Sequence, residues 1–333
     1  MARRVGDPAA LASVISAHSW TAMGPERRHE RLALAEELVG ATPSASPYVE
    51  CEGHIFRFAA LVECGDIRAA DDALASARSA ARSPIANWGA LEWTAIRELL
   101  AGRLADAERL AVRSADTARE GAFPPSVIEF SFIALLWCIR VVQGRVAELE
   151  PLAGAVRAMP ERPAWSFASE AQLAWEIGDP ATARRALSDA VDAGLLQAPR
   201  SFAWGTTTIA AADVCAELED RSLAAPLYEL LSPCAGVMIA QAGPVDRAIG
   251  RLALTLGRRD EAEDRLRAAI ALCERMDARA YLAIARYELG RLLLPSAEGT
   301  GLLEQAASAA RELGMPGWGR RAESALVATP TTR

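Results

Sequence analysis

The chain of 333 residues is 51% hydrophobic but only 6% aromatic, and its formal net charge is −7. A nucleic-acid surface needs clustered positive charge, so this balance argues against a nucleic-acid partner. All 36 basic residues are arginine, which excludes a Schiff-base lysine and the lysine of a phosphate-binding loop. Alanine dominates the hydrophobic fraction, which favours closely packed helices over a β-sandwich.

The segments that could direct the chain to a membrane or out of the cell lack the necessary pattern. The opening MARRVGDPAALASV is charged and has no apolar core of the secretory type. The apolar stretch VIEFSFIALLWCIRVV at residues 127–142 is too short to span a membrane and carries Glu129 and Arg140 near its ends. The six cysteines are scattered, as is typical of thiols in a reducing compartment. We therefore expect a cytoplasmic protein without a membrane partner.

A short motif recurs along the chain, with an apolar residue, glycine, a polar residue, and a small residue five positions after the glycine. Clear copies are CGDIRAA at Gly65, AGRLADA at Gly102, IGDPATA at Gly178 and LGRRDEA at Gly257; looser copies lie at Gly144 and Glu219, and a degenerate one lies near Ala297. These copies predict helical repeats over residues 45–315. Flanking helices precede them at 1–44, and a capping helix and tail follow at 316–333.

Each position of the motif has a helical explanation. Glycine supplies the left-handed residue that ends one helix, and the polar residue after it begins the next. A small residue seven positions before the turn lets the two helices approach closely. The positions five, nine and twelve after the turn share one face of the second helix. The sequence therefore predicts an all-α solenoid of about seven antiparallel helix pairs.

The spacing resembles the tetratricopeptide repeat family, which implies a right-handed superhelix. The segments ERLALAEELV, GRLADAERLA, PLYELLSPCAG and GPVDRAIGRLALTLGRRDEAEDRLRAAI are also similar to the C-terminal region of LuxR-type ATPase regulators and adenylate-cyclase-linked bacterial regulators. In those regulators this region is thought to sense ligands or partner proteins. This chain has no G-x-x-x-x-G-K-[ST] sequence and no segment for a DNA-binding helix-turn-helix, so we expect it neither to hydrolyse ATP that way nor to read DNA.

Six of the eight tryptophans lie between residues 88 and 204, on or just before the first helices of the predicted pairs. Trp137 stands where neighbouring repeats have a small residue. One interpretation is packing between helices. The other is an aromatic pocket in the concave groove. The predicted ligand-binding residues are Trp88, Glu92, Trp93, Glu129, Phe130, Trp137, Arg140, Trp165, Phe167 and Trp204. Phe132, Phe202 and Asp213 lie on the same segments.

No motif in the chain is specific for catalysis. His54, Glu129 and Glu170 are the candidates for acid–base chemistry. Glu129 and Arg140 are about three helical turns apart and could bind opposite ends of a ligand. The three histidines and the isolated cysteines show no metal-ligand spacing, so we expect no metal and no cofactor.

Three functions remain open from the sequence. The first is a regulatory binding module that recognises a small-molecule effector, a peptide or a partner protein in the groove. A cofactor-independent cyclase or isomerase that uses the same groove is the alternative. A scaffold with charged outer faces ranks last, because it would not need tryptophans concentrated on the middle first helices. A homodimer stays possible.

Overall fold

A computed structural model describes residues 7–21, 24–41, 47–158, 161–200 and 203–328. The described residues form 17 α-helices, four 3-10 turns and a single two-residue hairpin, β1 (Met238–Ile239) and β2 (Gly243–Pro244). The predicted all-α class is confirmed.

The helices of the first half are α1 (Pro8–Thr21), α2 (Arg28–Ala41), α3 (Pro47–Cys64), α4 (Ile67–Ala80), α5 (Pro84–Leu100), α6 (Leu104–Glu120), α7 (Pro125–Gln143) and α8 (Glu150–Arg157). Those of the second half are α9 (Ala164–Glu176), α10 (Pro180–Asp192), α11 (Trp204–Glu217), α12 (Arg221–Leu231), α13 (Val245–Thr255), α14 (Arg259–Arg275), α15 (Arg279–Leu293), α16 (Ala297–Leu313) and α17 (Pro316–Val327). Helices α3 to α16 form seven consecutive antiparallel pairs, as the repeat predicts. The division of the chain at residues 44 and 315 and the right-handed sense of the superhelix stay predictions.

The predicted turns are left-handed in the structure. The glycines at 65, 102, 144, 178 and 257 have φ between +66° and +82°, and Glu219 adopts φ +52° at the equivalent turn. The following Asp66, Asp179 and Asp220 accept hydrogen bonds from backbone N–H groups of the next helix, which caps it. The last pair differs, since Ser296 caps α16 and the turn before it contains Pro295.

The small residues seven positions before the turns let paired helices touch. A Cβ atom added at Gly250 would lie 3.1 Å from the carbonyl oxygen of Ala262, on the facing helix. At Gly290 an added Cβ would lie 2.9 Å from Leu303. These contacts confirm the close helix approach that the motif predicts.

The third pair departs from the regular unit. Its first helix, α7, has Trp137 in the small-residue position. Its second helix is reduced to a 3-10 turn at Val146–Leu149 and the eight residues of α8. A bulky ring and a shortened partner helix prevent the close packing seen in the other pairs, so space opens beside α7.

The chain closes on itself rather than extending as an open ladder. One core combines α3–α7 with α14–α17 and the hairpin, and a second core is built from α9–α13. The closing contact is backbone to backbone, because a Cβ atom added at Gly144 would lie 2.7 Å from the Cα of Gly317. The indole N–H of Trp318 donates to the carbonyl oxygen of Val141 at 3.2 Å. Helices α15 and α17 therefore face α7 across the interior.

Candidate functional site

A cavity of about 360 Å³ lies beside α7, and we call it the central cavity. Its walls come from α7, α9 and α11 on one side and from α15 and α17 on the other, with the hairpin loop at Gln241 and Ala242. The ring-bearing residues of the wall are Phe130, Trp137, Trp165, Tyr281 and Trp318. Aliphatic neighbours include Ile133, Val141, Ile209 and Ile284. The lining is therefore mainly apolar and aromatic.

The exposed face of α7 forms one end of the central cavity. Phe130 is 50% exposed there, and its ring meets that of Trp165 edge-on at 5.2 Å between centroids. Glu129 lies next to it on the same exposed face. Deeper in the wall, the indole N–H of Trp137 donates to the side-chain oxygen of Gln172 at 2.9 Å. The aromatic rings thus extend from the exposed face into the interior.

The polar end of the central cavity is an ion pair between α11 and α13. Both terminal nitrogens of Arg247 donate to Asp213, at 2.8 and 2.7 Å, and Arg251 donates to the same carboxylate at 2.9 Å. Burial by itself would raise the pKa of Asp213, but the two guanidinium groups outweigh it and hold that pKa below its usual range. Asp213 is therefore ionised and fully engaged at neutral pH.

This ion pair continues into a cluster that separates two cavities. Arg251 also donates to Glu217 at 2.6 Å and lies 3.5 Å from Glu288. We call Asp213, Glu217, Arg247, Arg251 and Glu288 the ionic cluster. Asp213 and Arg247 line the central cavity, whereas the other three line a second cavity of about 440 Å³. One helical turn along α11 and α13 therefore leads from an apolar space to a polar one.

The structure brings four of the predicted binding residues to the central cavity, Glu129, Phe130, Trp137 and Trp165, and Asp213 joins them. The others lie elsewhere: Trp88, Glu92, Trp93, Arg140, Phe167 and Trp204 are absent from its wall. Phe202 lies outside the described residues.

The aromatic residues away from the wall pack against specific neighbours. Trp93 is 4% exposed and meets Phe58 edge-on at 5.7 Å. Trp204 is 3% exposed beneath the guanidinium of Arg200, which lies 3.9 Å from its ring centroid. The ring of Trp88 contacts that of Phe123. The ring of Phe167 lies under the guanidinium of Arg162. Trp93 and Trp204 are buried, and Trp88 and Phe167 are half-buried against these neighbours, so the packing interpretation fits all four rings.

Two charged candidates are engaged between helices. Arg140 donates to both oxygens of Glu108 on α6, at 2.9 and 2.6 Å, and to Gln143 at 2.6 Å. It therefore does not share the cavity with Glu129 as the spacing on α7 suggested. Glu92 accepts a hydrogen bond from the hydroxyl of Ser131 at 2.7 Å, and burial raises the pKa of its carboxyl.

The candidate catalytic residues do not converge. Burial lowers the pKa of His54 on α3, and its Nδ1 is buried without a hydrogen-bond partner among the described residues. Glu170 pairs with Arg157 at 3.2 Å and with Arg162 at 2.6 Å. Glu129 is the one of the three that lines the central cavity. Within the part of the chain that the structure describes, no three His, Cys, Asp or Glu side chains are grouped as a metal site requires.

Several wall residues were missed by the sequence reasoning: Gln172, Gln241, Arg247, Tyr281 and Trp318. A signal for Arg247 existed, because acidic residues four apart at 213 and 217 and arginines four apart at 247 and 251 lie on neighbouring first helices. Tyr281 and Trp318 gave no such signal. They reach the cavity because the last repeats fold back onto the first, which local spacing does not encode.

The expectation that the stretch at residues 127–142 is too short for a membrane does not hold, because the helix around it, α7, has 19 residues and is long and apolar enough to cross one by length and composition. Among the described residues it is the one helix that passes this test. A mostly buried core helix passes the same test, but only 28% of this segment is buried. The residues of α7 that make it apolar include Phe130, Ile133, Trp137 and Val141, which line the central cavity. Cavity walls thus account for much of its apolar character.

Comparison with known proteins does not assign this chain to a family. No protein-family model and no curated protein matches it. A solved structure described as a circular tandem repeat protein with novel repeat topology and enhanced subunit contact surfaces is 16% identical. The match covers 90% of this chain and 75% of that one, with a TM-score of 0.15. The helix pairs themselves define the class, an all-α helical repeat protein.

Proposed function

We propose that this chain is a binding protein that holds a small, mainly apolar molecule in the central cavity. The observation that carries the proposal is the aromatic wall of that cavity, assembled from both halves of the chain. Its volume of about 360 Å³ falls within the range of small-molecule sites, which are typically apolar with a few placed polar groups.

A regulatory role follows from the position of the site. The cavity lies between α7, α9 and α11 on one side and α15 and α17 on the other. A molecule that contacts both sides stabilises the closed arrangement by its differential affinity for it. Occupancy would then be coupled to closure of the repeat, as a sensor requires. The resemblance of the sequence to regions of LuxR-type regulators that sense ligands or partner proteins also favours a regulatory role.

Binding is favoured over catalysis because arginines already occupy the largely buried carboxylates near the cavity. The Asp213 carboxylate is occupied by two arginines, and Glu170 is occupied by two others. A general base must reach the proton it removes without an engaged partner in the way. Glu129 lies at the exposed face, and the other charged residues of the wall, Asp213 and Arg247, bind each other. The cyclase or isomerase alternative therefore has weaker support.

The proposal is tested by a matched pair of tryptophan variants. The neutral dye N-phenyl-1-naphthylamine, which fluoresces in apolar sites, is titrated into wild type, Trp137→Ala and Trp88→Ala. Both rings are partly buried on first helices, but only Trp137 lines the cavity. We expect roughly tenfold weaker binding for Trp137→Ala, since a lost aromatic contact is worth on the order of 1.4 kcal/mol. Trp88→Ala should bind like wild type.

Native mass spectrometry of protein purified from its own host gives an independent readout. A stoichiometric small molecule that is lost in Trp137→Ala and kept in Trp88→Ala supports the proposal. Absence of dye binding in wild type, together with a co-purifying protein in place of a small molecule, would contradict it. That result would favour recognition of a peptide or a partner protein.

A further inference from the structure

We infer that the ligand is a neutral, ring-containing molecule with a hydrogen-bond acceptor, such as a carbonyl oxygen, that receives a hydrogen bond from the amide of Gln172. This inference rests on the proposed function and adds the chemical class of the ligand. It stands on three observations: the orientation of one amide, the pairing of the charges around the cavity, and the aromatic lining.

The orientation of the Gln172 amide is fixed by its neighbour. An indole N–H can only donate, so the atom of Gln172 that lies 2.9 Å from Trp137 Nε1 must be the oxygen. The NH₂ group is consequently the other end of the amide. Among the described residues it has no acceptor, and Gln172 lines the central cavity. A donor held in place by Trp137 is thus available to a ligand atom that accepts.

A second donor of the wall also lacks an acceptor. Arg247 is 4% exposed, and its Nε–H is buried with no partner among the described residues, although both terminal nitrogens bind Asp213. That nitrogen has almost no accessible surface, so a ligand in the cavity would reach it only after the Arg247 side chain moved. The Gln172 amide therefore remains the donor on which the inference rests.

The charges at the deep end of the cavity disfavour a charged ligand. Arg247 is neutralised by the bidentate contact with Asp213, so an anion would have to compete with a carboxylate that is already in place. A cation approaching the same end would meet two guanidinium groups around one carboxylate. At the exposed face the charged wall residue is Glu129, which repels anions. A neutral molecule meets none of these penalties.

Three naphthalene probes with one ring system isolate the predicted features. 2-Acetylnaphthalene has a carbonyl acceptor, 2-ethylnaphthalene replaces it by an apolar group of similar size, and 2-naphthoate carries a negative charge. Affinities are measured by calorimetry with the full chain. We expect the ketone to bind on the order of threefold to tenfold more tightly than the ethyl compound, as one net hydrogen bond allows. The naphthoate should bind at least roughly tenfold more weakly than the ketone, because its charge must be desolvated.

A matched pair of glutamine variants assigns the preference to one amide. Gln172→Glu keeps an acceptor for Trp137 and removes the donor, so the preference for the ketone should disappear. Gln197→Glu makes the same change at an exposed position outside the cavity and should leave the preference intact.

The outcomes separate this inference from the proposed function. Equal binding of ketone and ethyl compound by wild type, tighter binding of the naphthoate, or a ketone preference that survives in Gln172→Glu would overturn the inference while the cavity still binds apolar molecules. If none of the three probes binds and N-phenyl-1-naphthylamine also fails, the proposed function itself is wrong.

Discussion

Buried charges in this protein are paired through arginine forks. Because every basic residue is arginine, each buried cation can place two parallel N–H groups on one carboxylate. Arg247 does so with Asp213, and Arg140 does so with Glu108. The first pair joins α13 to α11, and the second joins α7 to α6, so each holds helices of neighbouring repeats in register. They also leave the central cavity without an unpaired deep charge, which decides the class of ligand it suits.

Glu63 is a buried carboxyl that is only half satisfied. Arg31 donates to one of its oxygens at 2.6 Å, whereas the other oxygen is buried without a partner among the described residues. Burial raises the pKa of Glu63 from 4.5 to about 7, although Arg31 and Arg28 act to lower it and Glu26 raises it further. The folded chain therefore binds a proton in a pH range where the unfolded chain has released it.

The raised pKa of Glu63 predicts a pH-dependent stability. A raised pKa stabilises the fold below the unfolded value, and this contribution is lost as pH rises from 4.5 to about 7. Over that window we expect the free energy of unfolding to fall by up to about 3 kcal/mol in wild type. Urea unfolding between pH 4.5 and 8 should show a flatter dependence in Glu63→Gln. The exposed Glu36→Gln should behave like wild type, and identical profiles for wild type and Glu63→Gln would refute the assignment.

At the scale of the helix pair, one turn geometry is produced by different residues. Five of the predicted turns have glycine in the left-handed region, but the fifth pair has Glu219 there, at φ +52°. The following Asp220 still caps the next helix through Ser222 and Leu223. The packing of α11 against α12 thus imposes a backbone conformation that glutamate adopts at a cost.

Replacing Glu219 by glycine should therefore stabilise the protein. Relief of the left-handed strain is worth about 1–2 kcal/mol, and the added freedom of the unfolded chain offsets about 0.4–1 kcal/mol of it. A net gain of roughly 0.5–1 kcal/mol should appear as a higher urea midpoint with an unchanged slope. Glu219→Ala, which keeps the Cβ atom and removes the carboxylate, is the control. If alanine stabilises as much as glycine, charge rather than backbone strain is responsible.

At the scale of the whole molecule, closure brings together segments far apart in sequence. Gly144 ends α7 and meets the backbone of Gly317 at the start of α17. Trp318 and Tyr287 then pack edge-on at 5.5 Å, and Arg321 pairs with Glu176. These contacts position α15 and α17 as the far wall of the central cavity. The site therefore exists only when the repeat is closed.

Two glycine variants distinguish the cost of strain at a left-handed turn from the cost of breaking the closing contact between Gly144 and Gly317. Gly144 and Gly178 both end first helices with positive φ, but an added Cβ meets the backbone of Gly317 at the first and nothing within 4 Å at the second. Gly178→Ala should cost about 1–2 kcal/mol of left-handed strain. Gly144→Ala should cost more, and hydrogen exchange in α17 should accelerate selectively, because the collision is with fixed backbone. Equal losses and unchanged exchange would show that closure does not depend on this contact.

The sequence by itself determined the helix pairs, and the tertiary structure decided the site. Turn glycines, aspartate caps and small residues are local signals, and they placed six of the seven turns. The same signals identified Trp137 as an anomaly in a small-residue position, because a regular repeat makes an irregular residue visible. They could not distinguish Trp93, which packs against Phe58, from Trp137, which lines the cavity. Both rings lie on first helices, and only the packing of other repeats tells them apart.

Closure also lay beyond the repeat pattern. Each motif copy specifies how a helix meets the next one, within about 40 residues. The contact of Gly144 with Gly317, and the arrival of Tyr281 and Trp318 at α7, depend on the accumulated rotation of all the pairs between them. That rotation is the sum of many small packing angles set by side-chain volumes, including the shortened α8. Local spacing therefore fixed the elements of this protein, whereas the three-dimensional packing of distant repeats created its cavity.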